Sequence, residues 1–159
     1  MTKIFRALSL ALAVAITIPA TTSASWPVQS RTSYASQYYH SGHRGLDIAA
    51  TRGTGVVPLG SGTVVFAGWR NNCGGYQVWV RHSSGRYSAY YHLSGETTYS
   101  GEYVTGGSER IGYVGSTGCA SGAHVHMEVW TGYPWRTGSY RVNPWNYVDS
   151  GYWLPTRYR

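Results

Sequence analysis

From residue 25 onward, hydrophobic positions never hold the three-to-four-residue spacing of an amphipathic helix over a useful length. They fall instead into short runs rich in Val, Ile, Tyr, Trp and Thr, separated by glycine. Gln77-Val78-Trp79-Val80-Arg81-His82 alternates with a period of two, which marks a strand with unlike faces. Arg86 to His92 reads as the next strand, joined to it through Ser83-Ser84-Gly85. Val56 to Ala67 reads as a turn and strand, and Glu109 to Gly115 and Ala123 to Trp130 complete the set. Twenty-one glycines and six prolines punctuate these runs. The pattern predicts an all-β fold: a single compact antiparallel β-sheet domain with long loops walling a groove, without repeats or a second domain. Residues 131–159 read as aromatic loop, with Tyr133-Pro134-Trp135 and Asn143-Pro144-Trp145. That composition suits the wall of a groove for an extended polar polymer, and equally the rim of an aromatic-rich core.

The first residues follow a different pattern. Lys3 and Arg6 precede an apolar run from Ala7 to Ile18, Pro19 breaks it, and Thr22-Ser23-Ala24 offers small residues for cleavage. This predicts a secretory signal peptide over residues 1–24 and a mature domain over 25–159, since a membrane span needs about 20 apolar residues. At 159 residues the chain is long enough for one domain with a real core. Lys3 is the only lysine, so without Lys3 and Arg6 eleven arginines face six acidic residues, a net charge of +5. An arginine-only basic surface attracts polyanions, of which anionic wall polymers and extracellular nucleic acid are the candidates. Cys73 and Cys119 form an even pair in a chain predicted to be exported, which favours a disulfide clamping two Gly-rich loops over two buried thiols.

The candidate chemistry is concentrated in histidine. Five of the six histidines lie in or beside three short words: His43-Arg44-Gly45-Leu46-Asp47, Tyr90-Tyr91-His92-Leu93 and His124-Val125-His126, with His40 just upstream. In a strand, His124 and His126 project from one face while Val125 points to the other. His43 and Asp47, four apart, converge in an extended segment, and the flanking glycines argue against a helix there. Two histidines and one carboxylate are a common ligand set for catalytic zinc and leave one tetrahedral position for water. There is no HExxH word, so zinc hydrolases carrying ligands and base on one helix are excluded. Each word alone is weak; their joint presence in this order points to a metal-dependent hydrolase.

These words carry a resemblance to the M23 peptidases, the lysostaphin-like and LytM-like zinc endopeptidases of bacterial cell walls. It runs from about Tyr39 to Tyr147. His43 to Ala50 resembles the family's first zinc motif, Tyr90 to Ser94 its Tyr-x-His-Leu-Ser motif, and Gly122 to Glu128 its last motif. Met127 stands where the family usually has Phe, and Val125 where Leu is more usual. The resemblance implies one zinc ion held by His43, Asp47 and His126, with His92 and His124 as the unligated catalytic pair. One of that pair acts as general base and the other donates to the oxyanion or the leaving amine. Tyr38, Tyr39 and Tyr90 are the expected substrate contacts, and a hydroxyl near the carbonyl oxygen is expected from Tyr34, Tyr38 or Tyr39. Glu128 is a candidate support for a ligand imidazole or a structural ion pair. His40 is read as an exposed loop residue and His82 as structural.

The implied function is a secreted endopeptidase cutting peptidoglycan stems or cross-bridges next to Gly or D-Ala. It acts in the extracellular space or bacterial wall, as a monomer, without nucleic acid and without membrane after signal cleavage. Its self-contained form suits lysis of other bacteria. Alternatives are a catalytically silent activator of wall amidases, a zinc protease of Gly-rich proteins, and a basic aromatic module binding anionic polymers.

Overall fold

The computed structural model describes residues 25–148. The predicted signal peptide, residues 1–24, lies outside the described residues, as do residues 149–159. Eleven strands follow in order: β1 Tyr34–Gln37, β2 Leu46–Ala49, β3 Gly55–Val56, β4 Gly62–Arg70, β5 Gly75–His82, β6 Tyr87–Leu93, β7 Gly95–Glu96, β8 Tyr103–Val104, β9 Gly112–Tyr113, β10 His124–Trp130 and β11 Arg141–Val142. A single 3₁₀ turn, Pro144–Tyr147, ends the described chain, capped by the Asn143 side chain on the Trp145 N–H. No helix among the described residues is long and apolar enough to cross a membrane.

The all-β expectation holds, with every strand pair antiparallel. The main sheet runs β1-β2-β10-β6-β5-β4-β8, with β11 also on β10. A second, smaller sheet runs β3-β9-β7. Its strands are two residues long, so they carry no alternation to read. For the same reason the strand expected over Glu109 to Gly115 shrinks to Gly112–Tyr113.

Alternation places the core. Leu46 and Ile48 of β2, Val78 and Val80 of β5, Tyr90 of β6, and Val125, Met127 and Val129 of β10 form one buried cluster on the inner face. The outer face buries Trp79, Ala89, Tyr91 and Trp130, with Phe66, Tyr87 and Tyr133 packed against them. This puts the bulk of the hydrophobic stabilisation on both sides of β5, β6 and β10, and makes β10 a rigid base for its two histidines.

A polar chain threads the inner side. The Leu59 N–H donates to the Tyr90 hydroxyl at 2.6 Å, and that hydroxyl donates to Ser88 Oγ at 2.9 Å. Ser88 lies 2.8 Å from His82 Nε2, and His82 Nδ1 lies 3.1 Å from the Ser61 carbonyl. The carbonyl only accepts, so His82 carries its proton on Nδ1 and receives the Ser88 hydroxyl on Nε2. His82 is therefore structural, as expected. Burial lowers its pKa, with the Ser61 carbonyl opposing, and burial pushes Tyr90 up to about 12. Because the folded pKa of His82 lies below the unfolded one, its contribution is neutral above about pH 6.5. Stability falls as pH drops below that value, where the unfolded chain gains a proton that the native ring resists. His82→Gln should flatten this part of the acid slope. Urea midpoints at pH 7.5 and 5.5 check it: the drop between them should be smaller in the variant, and an equal drop refutes the assignment.

Candidate metal centre and cleft

Strand register brings the separated words together. In the pairing of β10 with β2, His126 stands opposite Asp47, and in that with β6 it stands opposite Tyr91. His124 and His126 share the face expected from alternation, with Val125 and Met127 fully buried beneath. His43 lies in the turn before β2, closed by reciprocal backbone bonds between His40 and His43. Gly45 lets that turn settle on β10: a Cβ there would overlap the His126 ring and the Met127 carbonyl.

The result is a tight triangle. His43 Nε2 lies 3.1 Å from Asp47 Oδ1 and 3.1 Å from His126 Nδ1, and His126 Nδ1 lies 2.7 Å from Asp47 Oδ1. His43 Nδ1 faces the Tyr38 carbonyl at 3.0 Å, so it carries the proton and Nε2 presents a lone pair. His126 is bracketed by carboxylates, with Nε2 3.4 Å from Glu128 Oε1. Burial works against charge on this ring, but hydrogen bonds and charge from Asp47 and Glu128 outweigh it and raise its pKa to about 9. Burial likewise opposes the Asp47 carboxylate, and the His126 hydrogen bond with the surrounding imidazoles still lowers its pKa.

A lone pair, a carboxylate oxygen and an imidazole nitrogen this close need a proton or a metal ion among them. Without metal, the His126 proton fills that role. A metal ion bound there would displace it. Tetrahedral zinc, with ligands at about 2.0–2.1 Å, would separate them by roughly 3.3 Å, somewhat more than the 2.7–3.1 Å edges here. Among the described residues, His43, Asp47 and His126 are the group able to hold a metal. The donor set fits zinc.

His92 and His124 flank the triangle. Their rings lie 4.8 Å apart, His92 lies 6.2 Å from the His126 ring, and His124 Nε2 is 3.9 Å from Asp47 Oδ2. Each has Nδ1 on a carbonyl, His92 on Thr117 at 2.8 Å and His124 on Gly122 at 3.0 Å. Both Nε2 atoms are thus left as proton acceptors. Burial, opposed by the Thr117 carbonyl and aided by the two neighbouring histidines, lowers the His92 pKa and keeps it neutral.

A cavity of about 180 Å³ opens beside this group, lined by Asn72, Cys73, Gly74, Tyr91, His92, His126, Glu128 and Trp135. The non-glycine residues with left-handed backbone among the described residues are Cys73 (φ 67°), His92 (φ 63°) and Trp135 (φ 66°). All three line this cavity. Such strain gathers where structure over-determines a functional geometry. Cys73 and Cys119 are disulfide-bonded, as expected.

Glu128 supports His126 through partners not legible in the sequence. Tyr91 donates to its Oε2 at 2.6 Å, the Trp130 indole to the same oxygen at 2.8 Å, and Arg141 to Oε1 at 3.0 Å. The i, i+2 spacing of Glu128 and Trp130 was visible; the pairing of β10 with β6 and β11 was not. Burial opposes the Glu128 charge, but the hydrogen bonds from His126 and Tyr91 and the charges of His126 and Arg141 lower its pKa.

The tyrosines divide. The substrate-contact expectation for Tyr90 is corrected: it is fully buried in the inner core with its hydroxyl committed to Leu59 and Ser88. Its neighbour Tyr91, on the opposite face, is the one that reaches the cleft. Tyr38 is exposed and packs edge-on against Trp145 at 5.1 Å, while its carbonyl orients His43. The Tyr39 hydroxyl donates to the Arg141 carbonyl and accepts from Arg44, both at 3.1 Å. Tyr34 is exposed on β1, opposite Ala49. His40 is exposed, its ring bonded to Gln37 and the Gly42 N–H.

The model of peptidase family M23 matches residues 41–144, so the chain belongs to that family. It is 39% identical over 102 residues to the DD-carboxypeptidase/endopeptidase Mpg of Neisseria meningitidis serogroup B, covering 64% of this chain. It spans only 22% of that relative's length. Among solved structures, the catalytic domain of the antimicrobial peptidase lysostaphin from Staphylococcus simulans matches with a TM-score of 0.62 and 31% identity, over 72% of this chain and 88% of that one. A zinc-containing peptidase from Vibrio cholerae matches with a TM-score of 0.59 and 26% identity, over 65% of this chain and 35% of that one.

Proposed function

We propose that this chain is a secreted zinc endopeptidase that hydrolyses peptide bonds in bacterial peptidoglycan, next to Gly or D-Ala in stems or cross-bridges. The observation that carries the reading is the triangle of His43, Asp47 and His126 with two acceptor imidazoles beside it. The names of the family relatives, which include a DD-carboxypeptidase/endopeptidase and lysostaphin, support the substrate class. Export by a signal peptide over residues 1–24 would place the domain, residues 25–159, where that polymer is.

His43, Asp47 and His126 would hold the ion, and Glu128 orients the His126 ring. When bound, zinc supplies Lewis acidity that activates water and polarises a carbonyl. His92 lines the cavity and His124 stands beside it, each with its Nδ1 on a carbonyl and its Nε2 left to exchange a proton. One would take a proton from the attacking water on its Nε2 and pass that proton on to the leaving amine, while the other, when it is itself protonated, would donate to the carbonyl oxygen. His92 is suited to the accepting role because burial keeps it neutral. The intact triangle and both flanking histidines argue against a catalytically silent amidase activator.

The test is mass spectrometry of purified peptidoglycan digested by the mature protein, with and without a zinc chelator. New amino termini that disappear with chelator, in protein holding about one zinc per chain, are the expected result. Protein that holds zinc yet leaves walls of several cross-bridge types uncut would overturn the proposal.

A further inference from the structure

A second cavity, of about 320 Å³, is lined by Tyr39, Arg44, Trp130, Ser139, Tyr140 and Arg141. It adjoins the centre from two sides. Arg44 follows His43 in the chain, and Arg141 reaches His126 through one carboxylate, Glu128.

The chemistry of its lining is that of an anion receptor. The Arg141 guanidinium packs against both the Trp130 and Trp135 indoles, 5.0 and 4.9 Å from their centroids. The two indoles are themselves 5.2 Å apart, so they hold the guanidinium from one side. One of its nitrogens is committed to Glu128. Arg44 is exposed, held by the Tyr39 hydroxyl and ring, and among the described residues makes no ion pair. Ser139 Oγ is buried with no hydrogen-bond partner, so a hydroxyl donor stands ready in the wall. Set against the Glu128 charge, the two guanidiniums leave about one uncompensated positive charge, which matches a single carboxylate better than a phosphate dianion.

We infer that this pocket seats a free carboxylate of the substrate peptide, held by Arg44 and Arg141 with Ser139, close to the bond being cut. This rests on the proposed hydrolysis and specifies its substrate: stems bearing a free carboxylate beside the scissile bond, in preference to their amidated forms. The tyrosine and tryptophan walls pack the aliphatic part of the residue that carries the carboxylate.

The test uses two stem peptides identical except for carboxylate or carboxamide at that position. Wild-type protein should prefer the carboxylate about tenfold in KM, with similar kcat. Arg44→Gln should reduce that preference to twofold or less by raising KM for the carboxylate peptide, with zinc content unchanged, Arg44→Lys should restore part of it, and Ser139→Ala should weaken it a few-fold. Calorimetry on the zinc-loaded His92→Ala variant measures binding of the same peptides without turnover. Equal affinity for both peptides, or an equal loss for both in Arg44→Gln, overturns the inference while leaving hydrolysis intact. Inorganic phosphate displacing the peptide far better than acetate at matched ionic strength also overturns it. A carboxylate preference in binding that depends on Arg44, in protein that cuts neither peptide, supports the pocket and defeats the hydrolase reading.

Discussion

Asp47→Asn should abolish zinc binding and lower peptidoglycan hydrolysis by about a thousandfold or more. Asp47 Oδ1 is the atom shared by both imidazole contacts of the triangle, at 3.1 and 2.7 Å. Asparagine keeps the shape but removes the negative charge that offsets a divalent cation. It also turns an N–H₂ group toward two nitrogens if the amide flips. Loss of the ion forfeits several kcal/mol of transition-state stabilisation, and each 1.4 kcal/mol is about tenfold in rate. The substitution also leaves the His126 ring, whose pKa is held at about 9 by Asp47 and Glu128, without its nearer partner. Elemental analysis of the purified variant and a wall-digestion rate check this together. A variant keeping one zinc per chain and more than a tenth of the activity would remove Asp47 from the ligand set.

Cys73→Ser with Cys119→Ser should cost about 4 kcal/mol of stability, from the chain-entropy estimate for a loop of this size; the bridge spans 46 residues. For a domain of this length that corresponds to a drop in Tm of about 10–20 °C. The second consequence is catalytic. The bridge joins the loop between β4 and β5 to the loop between β9 and β10, reinforced by the Cys119 N–H on the Cys73 carbonyl at 2.8 Å. Both loops hold His92 in its left-handed backbone: Gly74 accepts its N–H at 2.8 Å and Thr117 accepts its Nδ1 proton at 2.8 Å. Thr117 is tied in turn to the Leu93 carbonyl and the Tyr76 N–H. Measured well below the lowered Tm, kcat should fall about tenfold, as expected for a misplaced proton acceptor, while zinc content stays at one per chain. A lower Tm with unchanged kcat would show that the hydrogen bonds alone hold His92.

Short-range chemistry was legible where it depended on alternation within one strand. His124 and His126 point to one face because residues two apart in a strand must do so, and Val125 and Met127 enter the core for the same reason. Where alternation was read without knowing which face met the cleft, the reading slipped by one residue. Tyr90 faces the core and Tyr91 the site, and both are aromatic, so composition could not distinguish them. The small sheet of β3, β7 and β9 was invisible because two-residue strands have no period.

Local sequence by itself determined the strand-rich class, the shared face of the last two histidines, the pairing of His43 with Asp47 and the family. Backbone alternation and a spacing of four residues act over distances that one segment spans. Tertiary structure alone decided that Asp47 stands opposite His126, that Tyr91, Trp130 and Arg141 converge on Glu128, and that two disulfide-joined loops hold His92. Those contacts come from strand register and loop packing between segments far apart in the chain, which depend on how every buried side chain fits its neighbours at once.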